Sequence, residues 1–464
     1  MPTLARLQHL RWQGRLSGSS ISFLASFHQS TAVSQPTRET NDSTTAPIDH
    51  PIEEELLPRG EDRLRWFHPT QPGEILGGRF KTIVKLGFGA GSTVWLAENV
   101  KFKRWRTNPP PRFVCIKIAA LDTDASGEME RSKLISHAKP THEGLVFLRT
   151  PIDAFQLRGP EGTHSCLVFK PMRETLYQLQ RRLKRQRLPV PLFKLFMYCL
   201  LQALDYLHTE CDLIHTDIKD DNIMVSIEND AVLTGFVRNV LANPQPRHIR
   251  PKDGRVTYLS QSDLGPLRAG ESSHLSAIQS HRFRAPEVLL GCAWSYSVDI
   301  WYLGLLMWNL LEDTSLFERP AGSDGEYDAH VHLAQMVSLL GDPPKEVIRR
   351  ERMLRNHQLE QPVINLRGKT CNTMNEFWGG PFFDDDCQIN RKDLIDKDEG
   401  KKLSDTVTEL TGDEKETFLD FASGMLQWLP EKRKTAKELL QHPFSDSLYK
   451  DRERDIEACR SRHT

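Results

Sequence analysis

Leu213-Ile214-His215-Thr216-Asp217-Ile218-Lys219-Asp220-Asp221-Asn222-Ile223-Met224-Val225 is the stretch on which the reading of the whole chain turns. An apolar pair leads in, polar side chains follow at fixed offsets, and an apolar run leads out. That pattern predicts strand, loop, strand, with the loop carrying chemistry. His215, Asp217, Lys219 and Asn222 fill the template H-x-D-x-K-x-x-N without a gap. A polar surface turn between two strands is the plainer alternative. Independent motifs on both sides of the loop argue against it.

The chain has 464 residues, long enough to bury a large core and longer than a usual single domain. Lys+Arg 61 against Asp+Glu 62 leaves a net charge of -1, so no whole-chain field points to nucleic acid or an anionic membrane. The cysteines, 8 in number, are scattered without a C-x-x-C pair, which suggests reduced thiols and no structural zinc. The longest apolar runs, Leu195–Leu201 and Trp301–Trp308, are far shorter than the roughly 20 residues of a membrane span. Residues 1–60 are rich in Ser, Thr, Gln and Pro, and disorder is expected there. Before Glu39, the first acidic residue, come Arg6, Arg11, Arg15 and Arg38 among many serines, the composition of an organellar transit peptide.

Upstream of the loop, Leu86-Gly87-Phe88-Gly89-Ala90-Gly91-Ser92-Thr93-Val94-Trp95 is a Gly-rich hairpin between strand-like runs. Glycines at 87 and 89 let a backbone approach phosphates without an intervening side chain. Phe113–Ala119 is an apolar strand interrupted by Lys117. A lysine in such a run is costly unless anions meet it, and nucleotide phosphates with a helix carboxylate would do so. Glu128 and Glu130 compete for that carboxylate, and Glu128 is preferred. Cys166–Met172 reads as a last strand and a hinge.

These motifs together resemble the eukaryotic protein kinase superfamily, and His-Thr-Asp at 215–217 is most like the SR-protein kinases and their fungal relatives. The resemblance runs from about residue 75 to 445. It implies that Asp217 accepts the proton of a substrate hydroxyl and that Lys219 neutralises charge on the moving phosphoryl group. Asn222 would hold magnesium. Leu86, Gly87, Gly89 and Val94 would cover the ATP, Lys117 with Glu128 would hold its phosphates, and Phe169 and Met172 would flank the adenine at the hinge. Family members usually carry Glu where this chain has Lys170, which matters little if only main-chain groups contact the base.

One element breaks the pattern. A second metal-binding carboxylate is expected in an Asp-Phe-Gly-like segment after an apolar strand. The best match is Asp263-Leu264-Gly265, which lies 46 residues past Asp217 (263 − 217) and 22 before Ala285 (285 − 263). Its approach, Leu259-Ser260-Gln261-Ser262, is polar, and an insert rich in Pro and Arg, Asn243–Arg255, precedes it. Two readings stay open: Asp263 is the ligand in a shortened segment, or the strand and its aspartate are missing. The second would make the protein a pseudokinase or scaffold.

Beyond the break, Ala285-Pro286-Glu287, the helix-opening Ser297-Val298-Asp299 and the closing Leu429–Phe444 run match the family again. Asp299 would cap the backbone of the polar loop, and Arg433 would pair with Glu287. Gln180–Arg187 reads as a solvated basic helix face, Leu192–Leu207 as an apolar helix, and Asp384-Asp385-Asp386 as acids that could attract an Arg-rich substrate.

The expected fold is α+β and two-lobed: a disordered segment over 1–60, a small β-rich lobe over 75–169, a mostly helical lobe over 170–445 and a charged tail over 446–464. The expected function is transfer of the ATP γ-phosphoryl group, with Mg2+, to a serine or threonine of a protein substrate, Arg/Ser-rich by resemblance, by a monomer. The family suggests cytoplasm and nucleus, the N-terminus mitochondria. A small-molecule kinase is disfavoured by the Ala-Pro-Glu and Asp299 motifs.

Overall fold

The computed structural model describes residues 47–57, 62–102, 111–123, 125–227, 230–262, 283–317, 320–322, 325–365, 367–395 and 402–445. The Arg- and Ser-rich start of the chain, Asp263-Leu264-Gly265 and the tail over 446–464 lie outside them.

The small lobe is an antiparallel sheet in the order β1-β2-β3-β4-β6-β5. Its strands are β1 (Ile75–Leu76), β2 (Phe80–Gly89), β3 (Ser92–Asn99), β4 (Phe113–Ala119), β5 (Asp153–Arg158) and β6 (Thr163–Phe169). Side chains alternate across the pleat. Val114, Ile116 and Ile118 therefore join Trp95, Ala97, Cys166 and Val168 in one buried layer. Val94, Cys115, Leu167 and Phe169 form a second, with Leu86 and Met129 packed against them. Helix α1 (Ala125–His137) follows β4.

The large lobe starts with β7 (Glu174–Thr175) and α2 (Leu176–Arg182), whose Thr175 and Gln178 form a reciprocal capping box. Helix α3 (Val190–Thr209) runs through its core. By length and composition α3 could cross a membrane, but 56% of that window is buried inside the protein, the mark of a core helix. The turn Glu143–Phe147 rests on α3 at Gly144, where an added Cβ would lie 2.0 Å from the Gln202 carbonyl oxygen. The rest of the lobe is β8 (Met224–Val225), α4 (Asp230–Ala242), the ribbon β9 (Arg247–Ile249) and β10 (Val256–Tyr258), α5 (Pro286–Leu289), α6 (Ser297–Glu312) and helices to Leu440. Trp301 and Trp308 of α6 are fully buried in this lobe's core.

Four local expectations are corrected. Leu213-Ile214 is not a strand: the chain turns directly off α3, Leu213 N–H donating to Leu207, and only Met224–Val225 finds a partner strand, β7. The basic run does not form one solvated helix. α2 stops at Arg182, and Arg181 pairs with Asp313 at 2.6 Å while Arg187 reaches Glu312 and Glu409. Disorder over 1–60 does not extend to 47–57. Ile48 bridges His248, and Glu53 and Glu54 are buried against Lys85 of β2. Finally, the Pro- and Arg-rich run Asn243–Arg255 is no loose insert: it carries β9 and leads into β10 of the ribbon, and the helix before it is docked as well. Leu233, Phe236, Val237 and Val240 of α4 pack on Val84, Leu96 and Phe113 beneath the small-lobe sheet. Gln245 accepts from the Lys85 N–H (3.1 Å) and donates to the Lys85 carbonyl (2.8 Å). Its side-chain amide thus satisfies β2 where the register with β3 slips between Lys85 and Gly87.

Candidate active site

Lys117 lies on the same face of β4 as Cys115, and its ammonium donates to both oxygens of Glu128 on α1 at 2.8 Å. Of the two carboxylates that the sequence left in competition, the first turn of α1 brings in Glu128. Val94 and Phe169 are buried, Leu86 and Met172 half-buried, and Gly87 and Gly89 close the β2–β3 hairpin. Together they make an apolar roof and a glycine edge with an ammonium below, a shape and charge suited to a flat base followed by phosphates.

The polar loop is built on α6. Asp299, fully buried, accepts from the N–H groups of His215 (2.7 Å) and Thr216 (2.8 Å) and lies 2.9 Å from His208 Nε2. Those bonds hold Thr216 at φ 65, a left-handed conformation a β-branched residue rarely adopts. His215 Nδ1 lies 3.3 Å from the Asp217 N–H, and burial pushes its imidazole below the usual histidine range despite Asp299 and Asp217 nearby. Asn222 donates to the Asp217 carbonyl (2.8 Å) and to its Oδ2 (2.7 Å), and Lys219 Nζ lies 3.3 Å from the same oxygen. One carboxylate is thereby aimed by an amide and an ammonium. It can accept a proton while the lysine faces an anion.

Among the described residues no cluster of three His, Cys, Asp or Glu forms a ready metal cage. Magnesium takes most of its ligands from phosphates and water, and the Asn222 carboxamide is a hard donor of the required kind, so the residues present fit it. Asp263 lies outside the described residues. The chain before it is placed, with Gln261 N–H donating to the Lys85 carbonyl at the edge of β2.

Below the loop, Arg433 grips Glu287 with two 2.7 Å bonds, one from each terminal nitrogen, and caps the Ser297 carbonyl. A residue that the sequence did not single out also stands in the site. Arg149 is buried against the Phe169 ring and donates to the Lys170 carbonyl. The only signal in the sequence was a lone cation closing the apolar run Leu145–Leu148.

The protein kinase domain model matches residues 80–445. The chain belongs to the protein kinase family. A serine/threonine protein kinase of Aspergillus fumigatus is 32% identical over 409 residues, 85% of this chain and 90% of that one. The serine/threonine-protein kinase SRPK of Physarum polycephalum is 28% identical over 82% of this chain and 88% of its own. A crystal structure of a kinase domain superposes with a TM-score of 0.54 at 20% identity, covering 83% of this chain and all of that one, which shows the fold. The protein is a serine/threonine kinase, a phosphotransferase of the two-lobed α+β fold, and it is similar to kinases of the SR-protein type.

Proposed function

We propose that this kinase moves the γ-phosphoryl group of Mg2+-bound ATP to a serine in an Arg-rich protein segment. The observation that carries the chemistry is the Asp217 carboxylate, fixed by Asn222 at 2.7 Å and Lys219 at 3.3 Å on a loop anchored to buried Asp299. Asp217 orients the hydroxyl and receives its proton, and Lys219 offsets charge on the transferring group. Lys117, held by Glu128, binds the nucleotide phosphates under Gly87 and Gly89. Leu86, Val94, Phe169 and Met172 enclose the base. Asn222 and Asp263 would hold magnesium, which would supply charge neutralisation at the phosphates. Positioning and electrostatics carry most of the rate in such a transfer.

The Arg-rich substrate is supported by the names of the relatives and by Asp385 and Asp386, which stay exposed while Phe382 and Phe383 anchor their turn in the core. The third acid, Asp384, is engaged by the backbone N–H groups of Asp386 and Gln388. The test is incorporation of labelled γ-phosphate into an Arg-Ser-repeat peptide. Asp217→Asn is expected to keep its fold and lose at least 10³-fold in turnover, by the scale of a positioned proton acceptor. Unchanged turnover in Asp217→Asn rejects the assignment. Asp263→Ala, run beside it, separates a shortened segment that still supplies the ligand (turnover lost) from a metal held elsewhere (turnover kept). No turnover in folded wild type would favour the scaffold reading.

A further inference from the structure

The β2–β3 hairpin carries glycines at 87, 89 and 91, so ordering its backbone over phosphates costs more entropy than ordering other residues would. Two short turns ahead of the sheet, Glu53–Leu56 and Arg63–Trp66, hold this hairpin at its root and at its tip.

At the root is Lys85, two residues before Gly87 and wholly buried. Its ammonium lies 2.6 Å from Glu53, pairs with Glu54 and donates to the Tyr258 carbonyl at 3.0 Å. It also stands 5.2 Å from the centroid of the Phe88 ring, between the first two glycines. Glu53 accepts from the Ser260 N–H (2.5 Å) and hydroxyl (2.9 Å), and its φ of 52 is a left-handed backbone that few residues other than glycine adopt. Burial raises the Glu54 carboxyl, and the Lys85 ammonium opposes that rise. At the tip, the Arg63 guanidinium donates to the carbonyl of Ala90, between Gly89 and Gly91, and lies 3.3 Å from Asp122. The Trp66 carbonyl accepts from the Leu121 N–H, and the Gly91 carbonyl accepts from the Ala120 N–H (2.8 Å) and the Thr123 hydroxyl (3.1 Å). Turn, tip and the chain leaving β4 are thus one bonded unit.

Two carboxylates buried on one ammonium are a weak source of stability compared with apolar packing of the same volume. What charge-assisted bonds add is direction, since an apolar contact would let the root of the hairpin slide. We propose that Arg63 and the Glu54–Lys85 pair are positioning residues for the nucleotide: they hold the Gly-rich hairpin in place over the phosphates, so that binding does not have to order it. The inference rests on the reading of this pocket as the nucleotide site. The clamp acts on the phosphates, while the roof and the hinge hold the base.

The test uses the full chain and calorimetric Kd values for adenosine and for the Mg2+ complex of β,γ-imido-ATP. Arg63→Ala is expected to weaken the triphosphate analogue about fivefold, the scale of one lost hydrogen bond, and to leave adenosine unchanged. Glu54→Ala, which leaves Glu53 on Lys85, is expected to shift the ratio of the two Kd values in the same direction. Glu55→Gln is the control on the same turn, because its carboxylate meets His248 at 2.8 Å. It should lower the thermal midpoint and leave the ratio as in wild type. An unchanged ratio in folded Arg63→Ala or Glu54→Ala overturns the proposal, and so does an equal shift in Glu55→Gln, which would mean that any loosening of these turns suffices. In wild type, hydrogen exchange at residues 87–91 should be slow before nucleotide is added and change little on binding. Hairpin amides that become protected only with nucleotide overturn the proposal whether or not the variants fold. Folded wild type that binds neither ligand overturns the nucleotide reading of the pocket and the clamp with it, a failure distinct from a pocket that binds ATP without regard to Arg63.

Discussion

Asp299 shows how one buried side chain fixes the chemistry of another. Its carboxylate takes two backbone N–H groups of the loop and the His208 ring, and without it Thr216 has nothing to hold a left-handed backbone. Asp299→Ala orphans two buried donors. Loss of charge-assisted bonds and the desolvation left behind should cost about 3 kcal/mol, read from urea unfolding, together with loss of phosphoryl transfer. The histidines of the small lobe make a pH prediction. His68 is pushed down to about 4, first by burial and then by the nearby His164 and Arg255. Its ring lies 5.3 Å from that of His164, which burial also lowers. Above pH 6.5 His68 is neutral folded or unfolded, and its contribution is fully present. As pH falls from 6.5 toward 4, the unfolded chain takes a proton that the folded one refuses, and stability is lost. The loss should reach about 3 kcal/mol at the bottom of that window. His68→Asn, which keeps an acceptor near Thr70, should flatten the slope of unfolding free energy between pH 6.5 and 4.5 relative to wild type.

At the scale of elements, α4 is the piece that sequence reasoning undervalued. It leaves β8 beside the polar loop and packs on the small-lobe sheet next to Leu86, so one helix ties the catalytic-loop strand to the Gly-rich hairpin. Truncating Phe236 removes the largest side chain that α4 brings to that contact. Phe236→Ala should cost about 3 kcal/mol, within the usual range for a buried aromatic. The distinctive readout is hydrogen exchange. Protection should fall in α4 and in the β2–β3 hairpin together, while α3 and α6 keep theirs. Equal loss across both lobes would mean that α4 contributes only global stability. The segment from Gln245 to Gln261 extends the same tie, with Lys85 buried between Glu53, Glu54 and the Tyr258 carbonyl.

For the whole molecule, two cores meet at a hinge, and a buried ion pair joins distant segments of the large lobe. Glu287 and Arg433 are 146 residues apart, both buried, with Arg433 also stacked 5.0 Å over Trp301. Arg433→Leu leaves a carboxylate buried and unpaired, which typically costs about 3–5 kcal/mol. The loss should appear as a lowered midpoint in thermal unfolding. Glu287→Gln/Arg433→Met should recover part of it, since the uncompensated charge is gone.

The sequence alone determined the polar loop, the Gly-rich hairpin, the lysine in an apolar strand, the Ala-Pro-Glu turn and the buried Asp299. In each of these the chemistry is set by residues a few positions apart on one backbone, so linear spacing already encodes the geometry. It also favoured Glu128, but only the docking of α1 against β4 brought that carboxylate to Lys117. The tertiary structure decided the rest. Arg149 has no periodic partner, and its place at the hinge depends on how β5 follows a turn seated on α3. The run Asn243–Arg255 looked like an insert because its partners, Lys85 for Gln245 and Glu55 for His248, lie well over 100 residues earlier. A face is apolar in sequence, but what covers it is chosen by the fold, because burial is a property of neighbours in space.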